Sequence, residues 1–238
     1  AGGHSVAGMS MNDGGLVIDV RPMKSVRVDP EARTATVGAG LTCGEFDRAT
    51  QEYGLAITGG RVSTTGLAGF TLGGGSGWLE RAFGFACDDL VSVDLVTATG
   101  EQVTASAQEN PELFWALHGG GGNFGVATSF TFGLHELGPK VHAGVLMWPG
   151  DAAPELSRGY RDLAVAAPNE ESATLIYGIA PAEPFVPADM VGKMAVYVVY
   201  VFAGDAEEGK EHAKAYRELG PVVDLVEDTG YADFQCSL

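Results

Sequence analysis

Hydrophobic and polar positions along the first part of the chain alternate in short β-branched runs. Residues 16–20, 25–28 and 34–37 predict three strands of a small sheet, separated by turn signals at Pro22, Asp29-Pro30 and Gly38. A helix is predicted over residues 42–53, where Thr42 offers an N-cap, Glu45 completes a capping box three residues on, and Gly54 follows the end. Residues 78–83 predict a short helical turn, and residues 90–97 with Val103 and Thr104 predict a hairpin around Thr99-Gly100. A further helix over 111–118 starts near Asn110 with Pro111 in the first position, and the strand-like run VATSFTFGL follows from Val126.

Beyond residues 137–139 the pattern changes. Residues 141–148 and 194–202 read as longer apolar strands, while 153–166 and 206–219 carry helical spacing. The expected fold class is therefore α+β, with one domain over residues 1–138 and a second over 139–238. In the second, an antiparallel sheet is backed by helices.

Hydrophobic residues make up 45% of the 238 positions, enough for sizeable cores. The 14 Lys and Arg stand against 31 Asp and Glu, and the resulting net charge of −17 argues against a nucleic-acid partner. A membrane partner is not expected either, because the longest apolar run, residues 194–203, is strand-sized. Cys43, Cys87 and Cys236 are odd in number and widely spaced, so neither a disulfide framework nor a zinc knuckle is indicated, and a cytoplasmic setting is slightly favoured over a secreted one. No initiator Met precedes AGGHSVAG, and YADFQCSL closes no obvious unit, so the expectation is a chain cut at both ends. The oligomeric state is left open.

Two stretches are dense in glycine: residues 59–77 and GGGGNFG at 119–125. Such density lets backbone approach a ligand closely, at an entropic cost. Gly120, Gly122 and Gly125 satisfy G-x-G-x-x-G, but a dinucleotide fingerprint needs a strand before it and a helix after it, and here the order is reversed. P-loop, nucleophile-elbow and H-E-x-x-H motifs are absent, and the five histidines stand at no metal-ligand spacing, so no metal site is expected. His4 stands apart: two glycines precede it and Ser5 follows, on a backbone whose N–H groups suit a pyrophosphate. Spacing alone leaves a structural role for it equally open.

Three segments occur in a telling order: GGHSVAG at 2–8, GRVSTTGLAGFTLGGGSGWLERAFGFACDDL at 60–90, and NPELFWALHGGGGNFGVATSF at 110–130. Together they resemble the berberine-bridge-like FAD oxidases of the vanillyl-alcohol-oxidase superfamily, over roughly the first three-fifths of the chain. The resemblance implies a PCMH-type FAD-binding domain followed by an α+β substrate domain. It also implies an oxidase passing hydride from an alcohol, sugar, amine or phenolic metabolite to covalent FAD and then to dioxygen, with release of hydrogen peroxide. By the same resemblance His4 matches the histidine bonded to the flavin 8α-methyl, and Gly2, Gly3, Ser5 and Gly8 line the pyrophosphate loop. Val62 falls where some relatives carry a second, thioether-forming cysteine, so one linkage is expected. Gly66, Leu67, Ala68 and Gly69 match the pyrophosphate and isoalloxazine edge, Gly77 a close passage beneath the cofactor, and Val126 a backbone contact to adenine. His118 departs from the arginine common in relatives. A sugar-lactone oxidase and a non-catalytic flavin-binding fragment are the alternatives. The catalytic base is not assigned: Glu183, Glu227, Asp228, Tyr177, Tyr197 and Tyr200 are all explained as well by surface charge or strand packing.

Overall fold

A computed structural model describes residues 2–8 and 10–237. The chain divides into two compact units, one of residues 1–136 together with residues from 235 onward, the other of residues 137–234.

The first unit is built on a five-stranded antiparallel sheet, its strands being β1 (Val26–Asp29), β2 (Thr34–Gly38), β4 (Leu90–Val96), β5 (Gln102–Ser106) and β6 (Val126–Gly133). Their spatial order is β1-β2-β6-β4-β5, so β6 enters between the two hairpins. A two-stranded pair, β3 (Leu55–Ala56) with β7 (His135–Glu136), lies apart from it. Helices α1 (Cys43–Gln51), α2 (Leu67–Leu72), α3 (Glu80–Phe83) and α4 (Pro111–Ala116) complete the unit.

The capping box on α1 forms: Thr42 Oγ1 accepts the Glu45 N–H at 3.4 Å while Glu45 Oε2 accepts the Thr42 N–H at 2.9 Å. Two otherwise orphaned donors are thus satisfied at the helix start. Phe46 of α1 meets Phe132 of β6 with ring centroids 5.6 Å apart, joining helix to sheet in a core that includes Val37, Ile57, Leu67, Val93 and Phe130.

The strand expected over residues 16–20 does not form: Leu16, Val17 and Ile18 are exposed, and among the described residues β1 is the edge strand of the sheet. Inside the glycine-dense stretch α2 forms, with Leu67, Ala68, Thr71 and Leu72 buried. Tertiary burial of that face outweighs the glycines at either side, which serve as caps. Asn110 does precede α4, but in a left-handed conformation and without a capping bond; its side chain donates to the Thr104 carbonyl at 2.7 Å instead.

The second unit holds β8 (Val141–Pro149), β9 (Glu171–Ile179), β10 (Met194–Phe202), β11 (Val223–Asp224) and β12 (Glu227–Thr229), with α5 (Ala153–Ala166) and α6 (Ala206–Arg217). All pairings are antiparallel, in the order β11-β8-β10-β9, with β12 also on β8. The helices cover one face: Leu156 of α5 and Ala213 and Tyr216 of α6 join Leu146, Val196, Val198 and Tyr200 in one cluster. Polar pairs are anchored inside it. Trp148 donates to the Leu219 carbonyl at 2.8 Å, and Tyr216 donates to buried Glu171 at 2.8 Å. A last helix, α7 (Tyr231–Cys236), runs across the division between the units.

Candidate functional site

The three glycine-rich segments meet on the first unit. A Cβ on Gly2 would collide with the Thr64 carbonyl and the Gly66 nitrogen, so the first loop lies directly on the second segment's backbone. There the His4 Nε2 is 2.8 Å from Thr64 Oγ1. Thr42 and Gly66 form a β-bridge, Leu67 N–H donates to the Leu41 carbonyl at 2.9 Å, and Gly121 N–H of the third segment donates to the Leu72 carbonyl at 2.9 Å. Residues 2, 66, 72 and 121 are thereby tied into one connected surface.

That surface presents backbone rather than side chains. Gly3, Gly69, Gly74, Gly119, Gly121 and Gly122 have open space where a Cβ would stand, which is the form a close-fitting anionic ligand requires. Leu67 and Ala68 bury their side chains in the core, so any contact they make there is through the first turn of α2. Val62 is exposed, ahead of the Val62–Thr65 turn, and Val126 opens β6 opposite Val96. Ser5 and Gly8 close a turn, with the Gly8 N–H donating to the Ser5 carbonyl at 3.0 Å. Gly77 has a different constraint: a side chain there would strike the Gly59 carbonyl, because Gly60 and Gly77 are bridged.

Residues that sequence reasoning missed hold this surface in shape. Arg61 spans the second segment, reaching Ser76 Oγ at 3.1 Å and Glu80 Oε1 at 3.1 Å and lying 5.3 Å from the Trp78 ring centre. Glu80 in turn accepts from the Gly77 N–H at 3.0 Å and from the Ser76 hydroxyl. Thr64 was hidden because its partner lies 60 positions away.

Asp47 was equally invisible. On α1 it is completely buried, and burial pushes its carboxyl up to about 7, partly offset by the neighbouring Gln235 amide. Gln235 also donates to the Gly60 carbonyl, and both of these groups border Gly59. Cys43 is buried too; burial first and Asp47 second push its thiol up to about 12. Burial likewise raises the Cys87 thiol. Neither has the character of a ready nucleophile.

The acidic and aromatic groups of the second unit are committed to structure where the contacts are seen. Tyr200 is buried and donates to the Gly209 carbonyl at 3.0 Å, Tyr197 donates to the Ile179 carbonyl at 3.1 Å, and Tyr177 pairs with Ser157 at 2.6 Å. Asp228 bonds Lys210 at 2.7 Å and His142 at 2.8 Å, and these two, Lys210 first, hold its carboxyl below the usual range. His118, just past the end of α4, is held by that helix, its Nδ1 lying 2.6 Å from the Phe114 carbonyl. Among the described residues no group of three His, Cys, Asp or Glu could hold a metal ion, and no helix is long and apolar enough to cross a membrane.

A glycine-lined, backbone-rich surface with an exposed imidazole at its rim fits a nucleotide cofactor, and comparison with known proteins gives its class. Residues 1–106 match the family model described as an FAD-binding domain. Over 239 aligned residues the chain is 35% identical to an FAD-linked oxidoreductase of Dictyostelium discoideum, covering 99% of this chain and 49% of that protein. Among solved structures, 6-hydroxy-D-nicotine oxidase from Arthrobacter nicotinovorans superposes with a TM-score of 0.89 at 30% identity, over 100% of this chain and 51% of that one. The berberine-bridge-enzyme-like protein 1 of Physcomitrella patens does so with a TM-score of 0.76 at 27% identity, over 90% of this chain and 45% of that one. Residues 1–106 thus carry an FAD-binding domain, the chain as a whole is similar to FAD-linked oxidoreductases, berberine-bridge-enzyme-like proteins among them, and its mixed α+β fold is of the PCMH-type FAD-binding kind. It spans about half the length of the relatives it matches.

Proposed function

We propose that the protein is an FAD-dependent oxidase with its flavin bonded covalently to His4, acting on an alcohol, sugar, amine or phenolic small molecule with dioxygen as the electron acceptor. Residues 1–138 form the FAD-binding domain in this reading, and residues 139–238 belong to the substrate domain. One observation carries it: the first loop is seated on residues 64–66 so closely that Gly2 tolerates no side chain, and this seat delivers the exposed His4 imidazole to the glycine-lined surface.

Bound FAD supplies the redox chemistry, accepting hydride and passing electrons to dioxygen. The chain's own residues bind and orient it. Gly2, Gly3, Ser5 and Gly8 offer the first loop's N–H groups to the pyrophosphate, and Gly66, Leu67, Ala68 and Gly69 offer the start of α2. Val126 meets the adenine through its backbone. Val62 has no thiol, so His4 is the single tether, and the Arg61–Glu80 pair, with Gly77 packed on Gly59, holds the second segment against collapse.

The test is acid precipitation of the purified protein expressed with ample flavin. Yellow, fluorescent precipitate from the wild type and flavin released to the supernatant from His4→Ala support the reading. Complete extraction of flavin from the wild type refutes the covalent link, and an absence of any flavin refutes the cofactor.

A further inference from the structure

We infer that Thr64 is a positioning residue for flavin attachment: its hydroxyl holds the His4 imidazole by Nε2, so that Nδ1 is the nitrogen that bonds to the cofactor. This rests on the reading of His4 as the attachment site.

Both side chains are exposed, and a hydrogen bond 2.8 Å long joins the His4 ring to Thr64. Thr64 is nevertheless a firm anchor, because the backbone on both sides of it is pinned. Ser63 and Thr65 carbonyls accept from the Gly44 and Cys43 N–H groups at 2.8 Å each, at the start of α1, and the Thr65 N–H closes a turn to the Val62 carbonyl at 2.9 Å. His4 reaches this anchor from a loop whose Gly2 lies against the backbone of Thr64, Thr65 and Gly66. One hydrogen bond of ordinary net strength biases the ring orientation by about 2- to 12-fold.

The chemistry of attachment makes a hydroxyl the fitting partner. Nucleophilic attack requires a neutral imidazole with a lone pair on the attacking nitrogen and the proton on the other. Thr64 Oγ1 accepts the Nε2–H in that state, which leaves the Nδ1 lone pair free. When the bond from Nδ1 to the flavin 8α carbon forms, the Nε2 proton is lost and Nε2 becomes an acceptor, and the same hydroxyl turns to donate to it. A carbonyl could serve the first state alone and an N–H donor the second alone. The balance closes with dioxygen as oxidant: one C–H bond of the methyl and one N–H bond of the imidazole break, one N–C bond forms, and the two protons and two electrons released leave through the ring to give hydrogen peroxide.

The test compares wild type, Thr64→Val, Thr64→Ser and His4→Ala, each reconstituted from the apoprotein with FAD in air. The fraction of flavin resistant to acid is followed over time, and the linked nitrogen is identified by NMR of the flavin peptide. Wild type is expected to link through Nδ1. Thr64→Val should bind FAD but attach it about 2- to 12-fold more slowly or through both nitrogens, and Thr64→Ser should restore the rate and the single isomer. If Thr64→Val fails to bind FAD, the contrast of Thr64→Ser with Thr64→Ala decides in the same way. Attachment by the valine or alanine variant at the wild-type rate and nitrogen, or an Nε2 link in the wild type, overturns the inference about Thr64. Covalent flavin persisting in His4→Ala overturns the underlying assignment of His4 instead.

Discussion

Replacing Asp47 by asparagine should stabilise the protein at neutral and alkaline pH. Asp47 is wholly buried, neither of its oxygens has a hydrogen bond of good geometry, and its pKa is raised from 3.8 to about 7. Around it stand the Cys43 thiol, the Gln235 amide and, at longer range, Arg48, and these do not compensate the lost hydration. Below the unfolded-state pKa both states are protonated and Asp47 costs little. Between pH 4 and 7 the unfolded chain has lost the proton and the folded one retains it, so stability falls as pH rises; above about pH 7 both are ionised and the slope vanishes. At about 1.4 kcal/mol for each tenfold step, the wild type should lose up to about 4 kcal/mol relative to Asp47→Asn across that window, an upper bound because water entry relaxes a buried charge. Urea titrations of both proteins from pH 4.5 to 8.5, followed by tryptophan fluorescence, measure the difference. A gap that stays constant with pH, or a wild type that gains on the variant as pH rises, refutes the burial argument.

Other outcomes follow from the same contacts. Gly2→Ala should leave the fold intact but displace the first loop, since overpacking costs about 1–3 kcal/mol; flavin that resists acid should fall about 5- to 100-fold while circular dichroism is unchanged. Thr42→Ala removes one half of the capping box on α1 and should cost about 1 kcal/mol by urea unfolding. Cys43, buried with its thiol pushed up to about 12, should resist a maleimide at pH 8 in the folded protein while half-buried Cys236 reacts; peptide mapping of the adducts reads the order, and faster labelling of Cys43 contradicts the burial.

Elements defined by local chemistry were legible. The capping box at Thr42 and Glu45, Pro111 at the start of α4 and the turn at Thr99-Gly100 each act within a few residues, and all appear in the structure. Strand β9 was not anticipated, because Glu171–Ile179 mixes polar and apolar positions and is held as a strand by nine-residue pairing with β10. Residues 16–20 fail in the opposite sense: they have strand-like side chains and no partner strand among the described residues. The glycine-rich segments marked out the surface proposed here for the cofactor, but the groups that shape it are set by distant pairings: Thr64 with His4, Arg61 with Glu80, and Asp47 beside Gln235. No period or motif in the sequence encodes such meetings.

In the proposed reading His4, seated on Thr64 at the rim of the glycine-lined surface, is the single point of flavin attachment. Proteolysis of the flavin-loaded protein followed by mass spectrometry of the yellow peptides tests it directly. The flavin mass is predicted on the peptide containing His4 and on no other; flavin recovered on a Cys43, Cys87 or Cys236 peptide, or on none, contradicts it.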